Sequence, residues 1–287
     1  MYKILHKKVL NPTVIQMDIE APLVARKAKA GQFIILRVDD EGERIPLTVA
    51  GTNQDELSVR VIFQIVGSTT ALLGEKKEGE FISDFVGPLG MPTHTDGIRS
   101  VCIVGGGVGC AIALPVAKAF FALGAKVTSI IGFRSKDLVI LEDEFAHNSH
   151  SLTVMTDDGS YSRQGNVTLP LKELLEGGAQ FDQIIAIGPL VMMKYVTETA
   201  RPFGVPVTVS MNPVMIDGTG MCGGCRLTLH QDGKSCVKFA CVDGPDFNGY
   251  EVDFDEAISR SRMYAEFERH AYEDTCNLLR KAGEQHG

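Results

Sequence analysis

A chain of 287 residues has room for two domains and a small additional module, and its 44% hydrophobic content suits ordinary buried cores. Its 28 Lys and Arg against 36 Asp and Glu give a formal net charge of −8, so no basic stripe marks a nucleic-acid partner. No apolar run reaches membrane-spanning length, and the N-terminal MYKILHKKVLNPT lacks the apolar core and cleavage site of a secretory signal, so the cytoplasm is the expected location.

Residues 1–96 read as short strands. Val14–Glu20, Gln32–Val38, Leu57–Phe63 and Glu80–Val86 carry the β-branched and alternating patterns. Turn signals at Lys29–Gly31, Asp39–Gly42 and Gly51–Asn53 separate them, and this spacing predicts a barrel. Two stretches carry chemistry. In Arg44-Ile-Pro46-Leu47-Thr48, a guanidinium beside a rigid proline and a hydroxyl suits a phosphate and a flat ring. In Phe63-Gln64-Ile-Val-Gly67-Ser-Thr69-Thr70, glycine and hydroxyls precede a short helix, whose first N–H groups suit phosphate. A solvated Arg and a simple N-cap cluster are the plainer readings of the same residues.

The pattern changes after the Gly- and Pro-rich connection 87–97. Ser100–Val104 reads as a buried strand, Gly105–Gly109 as a turn and Cys110–Leu123 as a helix. That order aims a helix N-terminus at a pyrophosphate through Gly106, Gly107 and Gly109. Cys110 departs from the strict G-x-G-x-x-G, and Pro115 lies early in the helix. Strands are then expected at Lys126–Ile131, Leu152–Met155, Gln183–Ile187 and Val205–Ser210, the last closing the sheet. Helices are expected at Leu138–His147, Asn166–Glu176 and Leu190–Pro202. Such alternation predicts a parallel sheet with its ligand crevice at the carboxyl ends of the strands, where Gly188 and Pro189 fall. Arg134 and Lys136 favour a ribose 2′-phosphate and Asp157 and Asp158 favour free ribose hydroxyls; the preferred reading is NAD(H).

Near the C-terminal end lies Asp217-Gly-Thr-Gly-Met-Cys222-Gly-Gly-Cys225, closed by Cys241. Thiolates converging from a Gly-rich loop are soft ligands for an iron–sulfur cluster or for zinc. The order is that of plant-type 2Fe–2S proteins, C-x4-C-x2-C…C, with Asp217 in place of the first cysteine. Seven cysteines, three of them in this motif, suit metal binding in a reducing compartment better than a disulfide framework. Cys102, Cys110, Cys236 and Cys276 read as buried hydrophobes or incidental thiols. The tail from Asp255 to Gly287 reads as helical, with Met263, Phe267, Leu278 and Leu279 among its apolar points.

In this order the motifs resemble the ferredoxin–NADP reductase-like superfamily, and the terminal motif resembles electron-transfer subunits of the dihydroorotate dehydrogenase type. The Asp-and-three-Cys set is most similar to the small subunits of electron-bifurcating NADH-dependent reduced ferredoxin:NADP oxidoreductases. The resemblance implies a β-barrel FAD domain (1–96), an α/β parallel-sheet NAD-binding domain (97–210), a 2Fe–2S module (211–250) and a helical tail (251–287). It implies that Arg44, Pro46, Leu47 and Thr48 hold FAD, that Phe63 and Gln64 flank it, and that Thr69 and Thr70, after Gly67, bind its pyrophosphate. Gly106, Gly107 and Gly109 would face the nicotinamide dinucleotide, and Asp217, Cys222, Cys225 and Cys241 would hold the cluster. No side chain is matched as an acid or base, because the cofactors carry the chemistry. The implied partner is a larger iron–sulfur flavoprotein subunit. An electron-transfer subunit of dihydroorotate dehydrogenase or anaerobic sulfite reductase is the related alternative, and a nucleotide-sensing module with structural zinc the unrelated one.

Overall fold

Alternation of apolar residues builds the first sheet. The structure, a computed structural model, describes the backbone of residues 1–285 and the side chains of residues 1–277, so Leu278, Leu279 and the chain end lie outside the described side chains. The first elements are β1 (Tyr2–Asn11), β2 (Val14–Glu20), α1 (Pro22–Ala25), β3 (Phe33–Arg37), β4 (Arg44–Asn53), β5 (Ser58–Gln64), α2 (Ser68–Glu75), β6 (Phe81–Ile82) and β7 (Asp84–Leu89). The seven strands pair antiparallel in the order β6-β1-β2-β5-β4-β3-β7 and curl into a nearly closed barrel. Met17, Ile19, Ile34, Leu36, Val59 and Val61 point inward and form its core.

Two of these strands depart from the sequence expectation. β1 carries Lys3, His6, Lys7 and Lys8, which hide its pattern. β4 runs through Gly51–Asn53, expected as a turn, with a bulge between Val49 and Gly51. Residues Arg44–Thr48 pair with β3 and residues Val49–Asn53 with β5. Pro46 therefore lies where its strand has only one partner, the position at which a missing N–H costs least.

The second sheet comprises β8 (Ser100–Gly106), β9 (Lys126–Phe133), β10 (Ser151–Thr156), β11 (Arg163–Gln164), β12 (Gln183–Ile187), β13 (Val207–Ser210) and β16 (Asp246–Asn248). Its order is β11-β10-β9-β8-β12-β13-β16, parallel throughout except for β16. The expected last strand, β13, is thus not the edge: the chain returns after the cysteine motif and adds an antiparallel strand. The helices are α3 (Gly109–Ala122), α4 (Glu142–His147), α5 (Thr168–Glu176) and α6 (Leu190–Ala200). Where one helix was expected over 138–147, a 3-10 turn at Lys136–Leu138 precedes α4, with Leu141 at φ +61° between them. Pro115 is accommodated inside α3. The order reverses at β8, flanked by β9 and β12, which sets the ligand crevice above β8 and β12.

Between β13 and β16 comes a hairpin, β14 (Arg226–Gln231) and β15 (Lys234–Phe239). After β16 come α7 (Phe254–Arg260) and α8 (Ala265–Gln285), and α8 packs on α2. Cys225, Cys241, Leu227, Phe254 and Ala257 share one core with Met193, Val196 and Val209 of the α/β layer. On the other side of the sheet, Val14 and Ile62 of the barrel enter the core around α3. Asn11 Nδ2 donates to the Leu138 carbonyl at 3.2 Å, tying barrel to sheet. Among the described residues no helix is long and apolar enough to cross a membrane.

Candidate functional site

A cavity of about 720 Å³ opens between the barrel and the carboxyl ends of β8 and β12, within the usual range for small-molecule sites. On the barrel side, β4 and β5 part beyond the Val49–Val61 pair. Pro46, Leu47 and Thr48 line one lip of that opening, and Phe63 and Gln64 the other. Thr70 lines it at the start of α2. Its Oγ1 accepts from the N–H groups of Val66 and Gly67, each at 3.0 Å, and donates to the Gly67 carbonyl at 2.9 Å. The hydroxyl thereby fixes the loop that presents the helix N-terminus.

On the sheet side, Gly106, Gly107, Gly109, Arg134, Gly188 and Pro189 line the cavity. The glycines answer to different constraints: backbone packing at Gly109, the Met192 side chain at Gly106 and backbone conformation at Gly107. A Cβ at Gly106 would stand 2.3 Å from Met192 Sδ, one at Gly109 2.5 Å from the Ile187 carbonyl oxygen, and Gly107 has φ +56°. Cys110 replaces the last glycine of the fingerprint because its buried thiol fits against Gly105, whose own Cβ would meet Sγ at 3.0 Å.

Five expected residues lie outside the cavity lining. Arg44 is exposed, with Nη2 3.6 Å from Asp84 Oδ2. Gly67 contributes backbone to the Thr70 network only. Thr69 is buried on the other side of α2, where its hydroxyl donates to Glu43 at 3.4 Å. Asp158 caps its own turn through the Ser160 N–H and hydroxyl, and the hydroxyl holds its carboxyl below the usual range. Asp157 is exposed at the end of β10, its N–H donating to the Phe133 carbonyl beside Arg134. Residues missed by motif reading also line the cavity, among them Asn11, Thr13, Ser210 and Asn212. An Asn-Pro turn marks the first two, and the carboxyl end of β13 marks the others.

The cysteine loop adjoins this cavity, since Met215 and Pro245, which line the cavity, flank the loop in sequence. Gly218, Gly220 and Gly223 all have positive φ, which lets the backbone wrap around the thiols. Asp217 receives the Thr219 N–H on Oδ1 and the Cys222 N–H on Oδ2, each at 2.9 Å. The Thr219 bond is the chief reason its carboxyl lies below the usual range. Gly224 N–H approaches Cys222 Sγ at 3.5 Å. Cys225 Sγ and Cys241 Sγ, both buried, stand 3.2 Å apart. Burial, then the Cys225 thiol, pushes Cys241 up to about 12, while the Gly220 N–H draws it down. Metal binding must displace that proton.

Among the described residues no three His, Cys, Asp or Glu side chains converge as ligands of one ion. Of the four ligand candidates, the Cys225 and Cys241 thiols stand side by side, and the Asp217 carboxylate lies on the backbone N–H of Cys222. A tetrahedral zinc gathers four donors at one point, whereas a two-iron group takes a pair of donors on each iron. The adjacent Cys225 and Cys241 thiols suit one such pair.

Barrel, doubly wound sheet, the cavity between them and an adjoining thiol loop define an electron-transfer oxidoreductase of the ferredoxin-reductase type. Residues 212–253 match the family described as iron-sulfur cluster binding domain of dihydroorotate dehydrogenase B. The chain is 46% identical over 282 residues to the Thermotoga maritima dihydroorotate dehydrogenase B (NAD(+)) electron transfer subunit homolog, covering 98% of this chain and 97% of that one. It is 32% identical to the Streptococcus pneumoniae dihydroorotate dehydrogenase B electron transfer subunit, covering 85% and 97%. A solved chain from a study of flavin-based electron bifurcation in NADH-dependent reduced ferredoxin-NADP oxidoreductase overlays with TM-score 0.88 at 42% identity, covering 96% and 97%. The chain belongs to the dihydroorotate dehydrogenase B electron-transfer subunit family.

Proposed function

We propose that this chain is the small subunit of an electron-bifurcating NADH-dependent reduced ferredoxin:NADP oxidoreductase, carrying electrons between NAD(H), FAD and a 2Fe–2S cluster. The observation that carries the reading is the adjacent Cys225 and Cys241 thiols, with the Asp217 carboxylate held on the Cys222 backbone, in a loop that adjoins the cofactor cavity. When bound, nicotinamide and flavin exchange a hydride, and flavin and cluster exchange single electrons.

The chain's own residues bind and orient. Pro46, Leu47, Thr48, Phe63 and Gln64 would cradle the flavin at the open lip of the barrel, and Thr70 would hold the α2 N-terminus for its pyrophosphate. Arg44 would act at the rim, paired with Asp84, and Thr69 would act through packing. Gly106, Gly107 and Gly109, with Gly188 and Pro189, would admit the nicotinamide dinucleotide close to the backbone. Asp157 and Arg134 would meet its ribose, Asp158 shaping the turn that carries them. We assign flavin, nucleotide and cluster roles to residues 1–96, 97–210 and 211–250, with 251–287 as a bracing tail.

The partner in this reading is a larger iron–sulfur flavoprotein subunit. Exposed Val214, Ile216, Met221 and Val242 on or beside the cysteine loop support a covered face there. The overlay on the bifurcating oxidoreductase chain over 96% of this chain, with TM-score 0.88, supports the bifurcating assignment; identity does not rank the two, since the 46% relative carries the dihydroorotate dehydrogenase name. The seven free cysteines suit the cytoplasm. Purification from native cells without air tests all of this. A complex with flavin, iron, labile sulfide and an iron–sulfur flavoprotein partner is expected. A dihydroorotate-oxidising partner would overturn the bifurcating assignment, and one zinc without iron or flavin would overturn the electron-transfer reading.

A further inference from the structure

Past the residues matched to the cluster-binding family, α7 is anchored at three points. Its N-cap Asp253 receives the Glu256 N–H at 2.9 Å and meets His230 Nε2 of β14 at 3.1 Å. Asp255 receives Lys194 Nζ of α6 at 2.6 Å. Phe254 and Ala257 are buried in the core that also holds Cys225 and Cys241. So fixed, the helix carries Arg260 to the cysteine loop, where Nη2 donates to the Gly224 carbonyl at 3.2 Å.

Gly224 stands between two ligand positions, and its own N–H approaches Cys222 Sγ at 3.5 Å. A cation at a helix C-terminus is favourable, and Glu256 Oε1 lies 3.9 Å from Arg260 Nη1. Those two effects account for a solvated arginine. They do not account for one with only 22% of its side chain exposed and a guanidinium N–H on a loop carbonyl.

We infer that Arg260 is a positioning residue of the cluster site, holding Gly224 so that its N–H stays on the Cys222 sulfur and placing a fixed positive charge beside the loop. The inference rests on the 2Fe–2S reading of that loop. Reduction adds negative charge to such a group, so a nearby cation in a partly dry site favours the reduced form and raises the potential. A hydrogen bond to a ligand sulfur acts in the same direction.

The test is an EPR-monitored redox titration of the native complex, with the flavin midpoint as internal reference. Arg260→Gln is expected to keep iron while moving the cluster midpoint to more negative values and leaving the flavin midpoint in place. Arg260→Lys, which keeps the charge, should move it less. Glu256→Gln, which removes the opposing charge, should move it to more positive values. A full iron content with an unmoved midpoint in Arg260→Gln overturns the inference. Should that variant lose its cluster, the Glu256→Gln titration decides, and an unmoved midpoint there overturns it equally. An unsubstituted complex without iron would overturn the cluster reading itself, a result separate from either.

Discussion

The carboxylate of Asp217 lies on the backbone of Cys222, with Oδ2 accepting that N–H at 2.9 Å while Oδ1 accepts from Thr219. The residue in the place of a cysteine ligand therefore also closes the loop that carries the next one. Asp217→Ala removes a donor and both closures, and its iron content is expected to fall below half of the parent's. Asp217→Cys restores a thiolate and should retain most of the iron. Iron and labile sulfide per chain after anaerobic purification check this; an Ala variant as iron-rich as the parent would remove Asp217 from the ligand set.

Gly107 and Gly109 separate two reasons for glycine in one turn. A Cβ at Gly109 collides with the Ile187 carbonyl oxygen at 2.5 Å and Gly188 Cα at 2.7 Å, so α3 must move off β12. At Gly107 the space is open and only φ +56° opposes a side chain. Gly109→Ala is expected to cost about 1–3 kcal/mol of stability, as overpacking does, and to weaken NADH binding at least tenfold. Gly107→Ala should cost about 1 kcal/mol, as a left-handed non-glycine residue does, with a smaller loss of binding. Thermal unfolding and rapid-mixing flavin reduction by NADH distinguish them; equal effects would contradict the packing account.

Thr69 and Thr70 are neighbours with different work. Thr70→Ala leaves the Val66 and Gly67 N–H groups without their acceptor, a loss of about 1 kcal/mol for a helix cap, and flavin retention on dialysis should drop. Thr69→Val replaces a hydroxyl whose bond to Glu43 is 3.4 Å and which faces away from the cavity, so flavin content should stay near the parent's. Flavin absorbance per chain reads both. A Thr69→Val variant that loses flavin as readily as Thr70→Ala would return Thr69 to the binding site.

That pair also marks how far the sequence could be read. The glycine turn at 105–109 and the loop from Asp217 to Cys241 were legible because their chemistry is local and needs those residue types. Adjacent residues on a helix point about 100° apart, so the motif alone did not choose between Thr69 and Thr70. β1 was hidden by outward lysines, and β4 by Pro46 and the bulge at Gly51, which punctuate a strand without ending it. β16 joined its sheet only through the return of the chain after the hairpin. Arg260 reaches Gly224 across 36 residues, a contact that no spacing rule records.

Asp246 yields a pH-dependent prediction. On β16 its Oδ2 accepts from Thr93 Oγ1 at 2.6 Å, and Oδ1 is out of solvent with no hydrogen-bond partner. The residue as a whole is only half-buried, but the orphan oxygen is not. Burial raises its pKa above the ordinary value, against the pull of the Thr93 hydroxyl. An acid raised on folding contributes stability that is complete below its unfolded pKa of about 3.9 and is lost as pH rises through the folded value. Asp246→Asn cannot ionise and keeps an acceptor for Thr93. Its stability relative to the parent should therefore improve from about pH 4 upward, by no more than about 1.4 kcal/mol per pH unit, then level off once the parent's carboxyl has ionised in both states. Unfolding of variant and parent measured between pH 4 and 8 checks the sign. A difference that stays constant across that range would mean that Asp246 is ionised alike in the folded and unfolded chain.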